Sequence, residues 1–292
     1  MKTETYHLKL ITPCFCAGAN QAQAEFRAPS IRGKLRWWFR ILGASPADEA
    51  LVFGSTAGNT GRAGALCLRT RTESSDLKWN PIEFGSVSNT GYVLYFAQAS
   101  GNGIRWNDHG ALPVGSRFLM QLVWRRRLPG PSAELFDLAL RAFLMLGSLG
   151  LRGSRGLGVF ECDEHPYSRA DYDGLITEIK DRSPKFLSAI GEFSGSETKI
   201  LDGLGAQLRG LRKGFSAGPP GSSNPTPLGS SQPRQASAVY LRPVRVAEDK
   251  YNIVVYEAPA DKVLARASAI RAPRLGGGLP APLNPPAGRP RR

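Results

Sequence analysis

Histidine, cysteine and methionine are scarce in this chain: three, four and three residues among 292. With so few imidazoles, acid–base or metal chemistry would have to be built on His7, His109 or His165. The cysteines, Cys14, Cys16, Cys67 and Cys162, do not form the two C-x-x-C pairs of a zinc ribbon. Cys14 and Cys16 stand two apart in a strand-like stretch, which turns both thiols to one side. The expectation is reduced thiols and no metal. Acidic residues are also short, 24 against 38 Lys and Arg, for a net charge of +14. Such an excess suits a polyanionic partner (RNA, DNA or an anionic membrane), although a merely soluble basic protein has the same composition. No apolar run approaches the ~20 residues that cross a bilayer, so no membrane partner is expected. The opening MKTETYHLKLITP lacks the apolar stretch of a secretory leader because His7 and Lys9 interrupt it, which predicts a cytoplasmic protein.

Glycine (33) and proline (22) are plentiful and break the chain into short elements. Alternation predicts strands at 5–11, 64–71, 92–98, 117–126 and 159–163, with a β-hairpin over 236–259 turned at 247–249. Apolar periodicity predicts helices at 31–42, 133–149, the DYDGLITEIKDR, SPKFLSAIGEF and ETKILDGLGAQLRGLRK stretches, and 261–272. PCFCAGANQAQAEFRAP reads as a loop, and Ser30 as the N-cap of the helix that follows it. The 214–237 segment and everything from Pro273 onward are too rich in Gly, Pro and Ser to pack. Strands and helices alternate without a regular βαβ rhythm, which favours α+β.

Two stretches carry chemistry. In SIRGKLRWWFR (30–40), Ile31, Leu35, Trp38 and Leu42 fall within about 60° on a helical wheel and make a core face. Arg32, Arg36 and Arg40 form a second stripe centred about 130° away, with Lys34 nearby in sequence. No acid lies between Arg27 and Ala47, so the stripe repels itself mildly and an anion would relieve it. The positive end of the helix dipole adds to this. Trp37 lies off the core stripe and is free either to stack on a base or to rest on a strand. The other stretch, GSLGLRGSRGLGVFE (147–161), combines five glycines with Arg152 and Arg155. Glycine admits positive φ and close backbone approach to a phosphate chain. The order is neither a dinucleotide fingerprint nor a Walker A loop.

Together these stretches resemble the RAMP superfamily of CRISPR ribonucleoproteins. Gly150-LRGSR-Gly156-Leu157-Gly158 fits its G-x5-G-h-G loop, where h is hydrophobic. TPCFCAGANQ, EFRAPSIRGKLRWWFRILG and EALVFGS, in that order, are similar to the branch found at the head of type III-B (Cmr) effector complexes, and RQASAVYLRPVRV to its closing strand. Two positions depart from the pattern: Asn20 replaces an aspartate, and the loop reads Arg152-Gly153-Ser154-Arg155-Gly156 instead of the doubly basic R-S-R-R-G. The resemblance implies two ferredoxin-like (RRM-like) units with a glycine-rich loop, here 1–165 and 166–272; the 273–292 stretch, which composition alone marks as a disordered basic tail, lies outside it. It implies a subunit with no catalytic residue, metal or cofactor. Such a subunit would bind the CRISPR RNA 3′ region and target RNA beside other Cmr (type III) subunits. The RNA-binding residues expected are Asn20, Gln21, Arg27, Ser30, Arg32, Lys34, Arg36, Trp37 and Arg40, then Gly150, Arg152, Gly153, Ser154, Arg155 and Gly156 in the loop.

Relatives that cut CRISPR RNA without metal supply the enzymatic alternative, which would need one of the three histidines as general acid or base. Metal-dependent cleavage would need an exposed loop aspartate, and Asp48 and Asp108 read better as cap or turn residues. A pure assembly role would show little salt dependence in RNA binding, whereas phosphate contacts weaken linearly in log–log with salt.

Overall fold

The computed structural model describes residues 2–16, 24–56, 61–73, 88–94, 111–215, 228–231 and 234–259. In chain order the main elements are β1 (Lys2–Leu10), α1 (Ala28–Ile41), α2 (Pro46–Phe53), β2 (Leu66–Thr72), α3 (Asn89–Leu94), β3 (Arg117–Trp124), α4 (Gly130–Leu146) and β4 (Phe160–Cys162). They continue with α5 (Arg169–Arg182), β5 (Leu187–Gly195), α6 (Ile200–Phe215), β6 (Val239–Ala247) and β7 (Lys250–Glu257). Asn20, Gln21, Asp108, His109, the helix expected at 261–272 and the tail from 273 lie outside the described residues.

β1 alternates because only one face meets the core: Tyr6, Leu8 and Leu10 are buried, while Thr5, His7 and Lys9 face the other way. β3 runs antiparallel to it with Leu8 opposite Phe118 and Tyr6 opposite Met120, which stacks the two apolar rows. The four-stranded sheet has the order β4-β1-β3-β2, all neighbours antiparallel. With α1 after β1 and α4 after β3, this is the βαββαβ arrangement of a ferredoxin-like unit. The second sheet, β6-β7-β5, takes α6 between β5 and β6 and repeats the βαββ half of that plan.

The two sheets share one apolar core, in which Trp38 of α1 lies 5.6 Å from the Tyr256 ring and 6.2 Å from Phe186. Each buried aromatic or leucine of this kind is worth about 1.5–3 kcal/mol of transfer free energy. α4 is the element between them. Its first half keeps Glu134 and Asp137 exposed, whereas from Leu138 to Leu146 only Arg141 and Met145 reach solvent in part. Tyr256 Oη donates to Leu146 O at 3.0 Å, and the buried Arg242 donates to carbonyls at the same helix end. A second apolar cluster joins Leu204, Leu208 and Leu211 of α6 to Ile11, Phe15 and Leu157. Gly205 of α6 is needed there, because a Cβ would stand 1.9 Å from Asn89 O of α3. No helix among the described residues is long and apolar enough to cross a membrane.

Four expectations are corrected. Residues 92–98 read as a strand, but Asn89–Leu94 form a helix that buries Val93 and Leu94 near α6; a short apolar run has no period of its own to decide the matter. SPKFLSAIGEF read as a helix, yet Leu187–Gly195 is a strand because β7 offers it a ladder, with Tyr256 opposite Ser188 and Val254 opposite Ile190. Ser30 lies inside α1 rather than capping it. The N-cap is Arg27, and Pro29 sits in the first turn, where a missing N–H costs no hydrogen bond. Cys14–Phe15, expected in a loop, pair with Ala111–Leu112. Of the 214–237 segment, Ser230–Ser231 and Arg234–Gln235 form a two-residue ladder, and 216–227 lie outside the described residues.

Candidate nucleic-acid interface

The core stripe of α1 divides the helix into two flanks that carry different charge environments. On one side project Arg32, Arg36 and Arg40. Their neighbour is α2, which starts immediately after the turn that ends α1. Ser45 and Asp48 close a capping box, and Asp48 also accepts from Ser132 Oγ of α4 at 2.7 Å. Asp48 is therefore a cap, in keeping with the sequence reading. This fixes the next residue, Glu49, against the arginine stripe.

Arg36 Nε donates to Glu49 Oε1 at 3.0 Å and Arg40 Nη2 to the same oxygen at 2.7 Å, with further contacts from Arg36 Nη2 and Arg40 Nε. Arg32 donates to Phe53 O, and the Arg36 guanidinium lies 5.8 Å from the Phe53 ring centroid. Hydrogen bonds from Arg40 and then Arg36 hold the Glu49 carboxyl down at about 2. The stripe was expected to be free of acid. It is not: two of its three guanidiniums, Arg36 and Arg40, share one carboxylate that is only 12% exposed. They line an open groove of about 1110 Å³ together with Arg62 and Arg125.

The other flank of α1 carries Lys34 and Trp37 and meets the glycine-rich loop. A Cβ on Gly153 would lie 3.8 Å from Lys34 Nζ, so the ammonium lies beside this glycine of the loop. Burial pushes the Lys34 pKa below its ordinary value, and the neighbouring Cys14 opposes this only in part. No described carboxylate pairs with it. Trp37 is committed to packing: its ring stands 4.9 Å from Trp38 and 5.2 Å from Tyr240 of β6. Of the two fates left open for it, the strand is the one realised.

Most of the loop's glycines serve the fold. Gly150, Gly156 and Gly158 have φ of 72°, 81° and 65°. A Cβ would meet Phe15 O at 2.4 Å on Gly150, Leu204 Cδ2 at 2.5 Å on Gly156, and Leu149 O at 1.9 Å on Gly158. The close approach that glycine permits is thus mainly to the protein's own 13–15 segment and α6, with Leu151 N donating to Phe15 O and Gly158 N to Pro13 O, both at 2.8 Å. Arg152 itself is left-handed (φ 56°) and leads into a short 3-10 turn over Gly153–Arg155. Arg155 donates to Leu228 O at 2.9 Å, Ser154 is half-buried, and Leu151 stands 63% exposed at the tip. At the start of α1, Arg27 pairs with Glu25 at 3.0 Å and Ser30 is exposed.

The two described histidines, His7 and His165, stand elsewhere. His7 Nδ1 contacts Glu164 Oε1 at 2.5 Å, which raises its pKa, and the His165 ring stacks 5.9 Å from Tyr6. Sequence reading missed two residues of this region: Glu49, whose signal was the S-x-x-D cap at Ser45, and Arg242, discussed below.

A ferredoxin-like unit followed by a second βαββ sheet, with a glycine-rich loop between α4 and β4, defines a class that comparison with known proteins identifies. Residues 7–161, just over half the chain, match the RAMP superfamily (RAMPs), and the chain belongs to that superfamily. It is 30% identical over 214 residues to the CRISPR system Cmr subunit Cmr1-1 of Pyrococcus furiosus, a match covering 70% of this chain and 56% of that protein. A second relative, Cmr1-2 of the same organism, is 38% identical over 60 residues, covering 18% of this chain and 32% of its own. The chain thus spans little more than half the length of the first of these relatives. In fold it is similar to the crystal structure of Pyrococcus furiosus Cmr1 in its apo form, with a TM-score of 0.56, 19% identity, and 89% and 88% of the two chains covered. A chain of the type III-B Cmr-beta complex bound to cognate target RNA gives a TM-score of 0.54 at 11% identity, with 91% and 96% covered.

Proposed function

We propose that this chain is a non-catalytic RNA-binding subunit of a type III-B CRISPR effector ribonucleoprotein, holding CRISPR RNA and its target RNA beside sister Cmr subunits. The observation that carries the reading is Lys34, a desolvated ammonium with no carboxylate among the described residues, set against the backbone of the glycine-rich loop. A half-buried charge without a described partner is costly in the fold alone, and a phosphate is the group that would answer it. The resemblance to Cmr1-1 supports RNA as the source of that phosphate.

On this reading the RNA backbone follows the Lys34 flank. Arg152, Ser154 and Arg155 stand along the loop, Gly150, Gly153 and Gly156 set its left-handed and tight turns, and Arg27, paired with Glu25, and Ser30 stand at the start of α1. Asn20 and Gln21 are assigned to the same path from the sequence. Arg32, Arg36 and Arg40 form a separate contact on the opposite flank, where the strand would compete with Glu49. Trp37 drops out as a base-stacking platform. The two-unit division at about residue 165 belongs to this same reading.

The test is the affinity of the purified chain for single-stranded repeat RNA across a salt series. Each phosphate contact contributes about −0.7 to the slope of log affinity against log salt, so three to five contacts predict a slope of about −2 to −3.5. A flat line would sink the RNA reading and favour assembly alone. Labelled repeat RNA incubated with the chain should stay intact, and a specific product would overturn the non-catalytic part.

A further inference from the structure

Arg242 of β6 is 4% exposed and faces no described carboxylate within ion-pair distance. Its guanidinium is answered by three backbone carbonyls instead. Nη2 donates to Leu144 O at 3.1 Å and to Phe160 O at 2.7 Å, and Nη1 donates to Gly147 O. Leu144 and Gly147 stand where α4 ends and the glycine-rich loop begins, and Phe160 stands where the loop enters β4. One planar fork therefore ties both feet of the loop together. Tyr256 Oη, from the neighbouring strand, donates to Leu146 O at 3.0 Å, so buried carbonyls at the end of α4 are capped from the second sheet. The guanidinium also lies 5.3 Å from the Phe160 ring centroid. Burial lowers its pKa to about 10, which leaves it charged at neutral pH and favourably placed at a helix C-terminus.

A buried cation answered by carbonyls, with its Nε left without a partner among the described residues, is a poor device for stability alone, since apolar packing commonly does as well. What it supplies is geometry: a lysine ammonium can reach one foot of the loop, whereas the guanidinium spans both. We infer that Arg242 is a positioning residue that fixes the glycine-rich loop against α1, and that it sets RNA affinity without touching RNA. The inference rests on the RNA reading above only in its last clause.

Arg242→Lys in the full chain tests it by two measurements. Hydrogen exchange reads the loop amides Leu149, Leu151 and Gly158, which donate to Gly158 O, Phe15 O and Pro13 O. They should exchange about tenfold faster or more, while the β1–β3 ladder keeps its protection. RNA affinity should fall about tenfold with the salt slope unchanged, because no phosphate contact has been removed. Unchanged loop exchange, or exchange raised equally in the β1–β3 ladder, overturns the positioning role. A reduced salt slope would make Arg242 a direct contact instead. Should the lysine variant not fold, Arg242→Ala offers a second arm. Arg242 lines an open cavity of about 280 Å³ with His165, Tyr167 and Arg245, through which methylguanidinium can enter. Millimolar methylguanidinium should restore loop protection where ethylammonium does not, and equal effects of the two would count against the fork geometry. If the wild-type chain itself fails to bind RNA, the functional reading falls, and the exchange measurements still decide the role of Arg242.

Discussion

Replacing Lys34 by Met separates stability from binding, because the structure predicts opposite signs for the two. The Lys34 ammonium is desolvated, has no described carboxylate partner and lies against the Gly153 backbone. Methionine keeps most of the aliphatic stem and removes the unpaired charge, so the fold should be unchanged or gain up to about 1 kcal/mol. RNA should lose one charge-assisted phosphate bond, about 1.5–3 kcal/mol, which is roughly ten- to hundredfold in affinity. The salt slope should shrink by about 0.7. There is also a pH signature. A lysine pKa below 10.5 in the folded state means that the unfolded chain holds more protons between the two values. Wild-type stability should therefore rise with pH across that window, and the variant should lose this rise. Urea unfolding as a function of pH and RNA titration at several salt concentrations measure both arms. A loss of more than about 2 kcal/mol with unchanged RNA affinity would show that Lys34 is a structural residue and refute the reasoning.

The other predictions concern the opposite flank and the loop. Glu49→Gln should cost about 1 kcal/mol, since Arg40 is 59% exposed and solvent screens the pair, while RNA affinity at low salt rises a few-fold as the groove gains charge. Glu49 is depressed from 4.5 to about 2, so its stabilisation is complete above about pH 4.5 and lost as pH falls through about 2; acid titration of wild type and variant checks the sign. Changing Arg32, Arg36 and Arg40 together to Ala should lower the melting temperature as well as RNA affinity, because it strips Glu49 and Phe53 O of their donors. Retention of full stability there would show the brace to be inert. Gly158→Ala, at φ 65° with a Cβ 1.9 Å from Leu149 O, should cost about 3 kcal/mol, whereas Gly33→Ala, with nothing within 4 Å in the middle of α1, should gain about 0.5–1 kcal/mol.

The first unit was legible because its strands bury one face and its helices one stripe, and these leave periods of two and 3.6 in the sequence. α1 and α4 stand where their apolar residues put them, within a turn at each end. Legibility failed where tertiary partners decide. The 187–195 stretch is a strand only because β7 is beside it, and 89–94 a helix only because α6 is. Glu49 escaped a search for acids confined to α1 and its near surroundings, although Ser45-Pro-Ala-Asp48 announces a helix start that brings the next residue back onto the stripe. Arg242 carried no signal at all: an arginine in an apolar strand reads as solvent-facing by default, and only the end of α4 explains its burial. The glycines were read as room for phosphate, whereas Phe15, Leu149 and Leu204 occupy that room.

The basic residues of α1 are unequal for a physical reason that counting charges hides. A phosphate that approaches Arg36 or Arg40 replaces the Glu49 carboxylate, one anion for another, and gains only the difference between them. At Lys34 there is no described carboxylate to displace, and the ammonium is already desolvated in the folded chain. The full charge-assisted bond is therefore available to a ligand. Four cations stand within nine residues of one helix, and their environments rank the single lysine above the three arginines as the anchor. The stripe retains a second use. Because Glu49 holds Arg36 and Arg40, with Arg36 over Phe53, a strand that crosses the groove meets guanidiniums already in place, and loses less rotamer entropy in binding them than it would to free side chains.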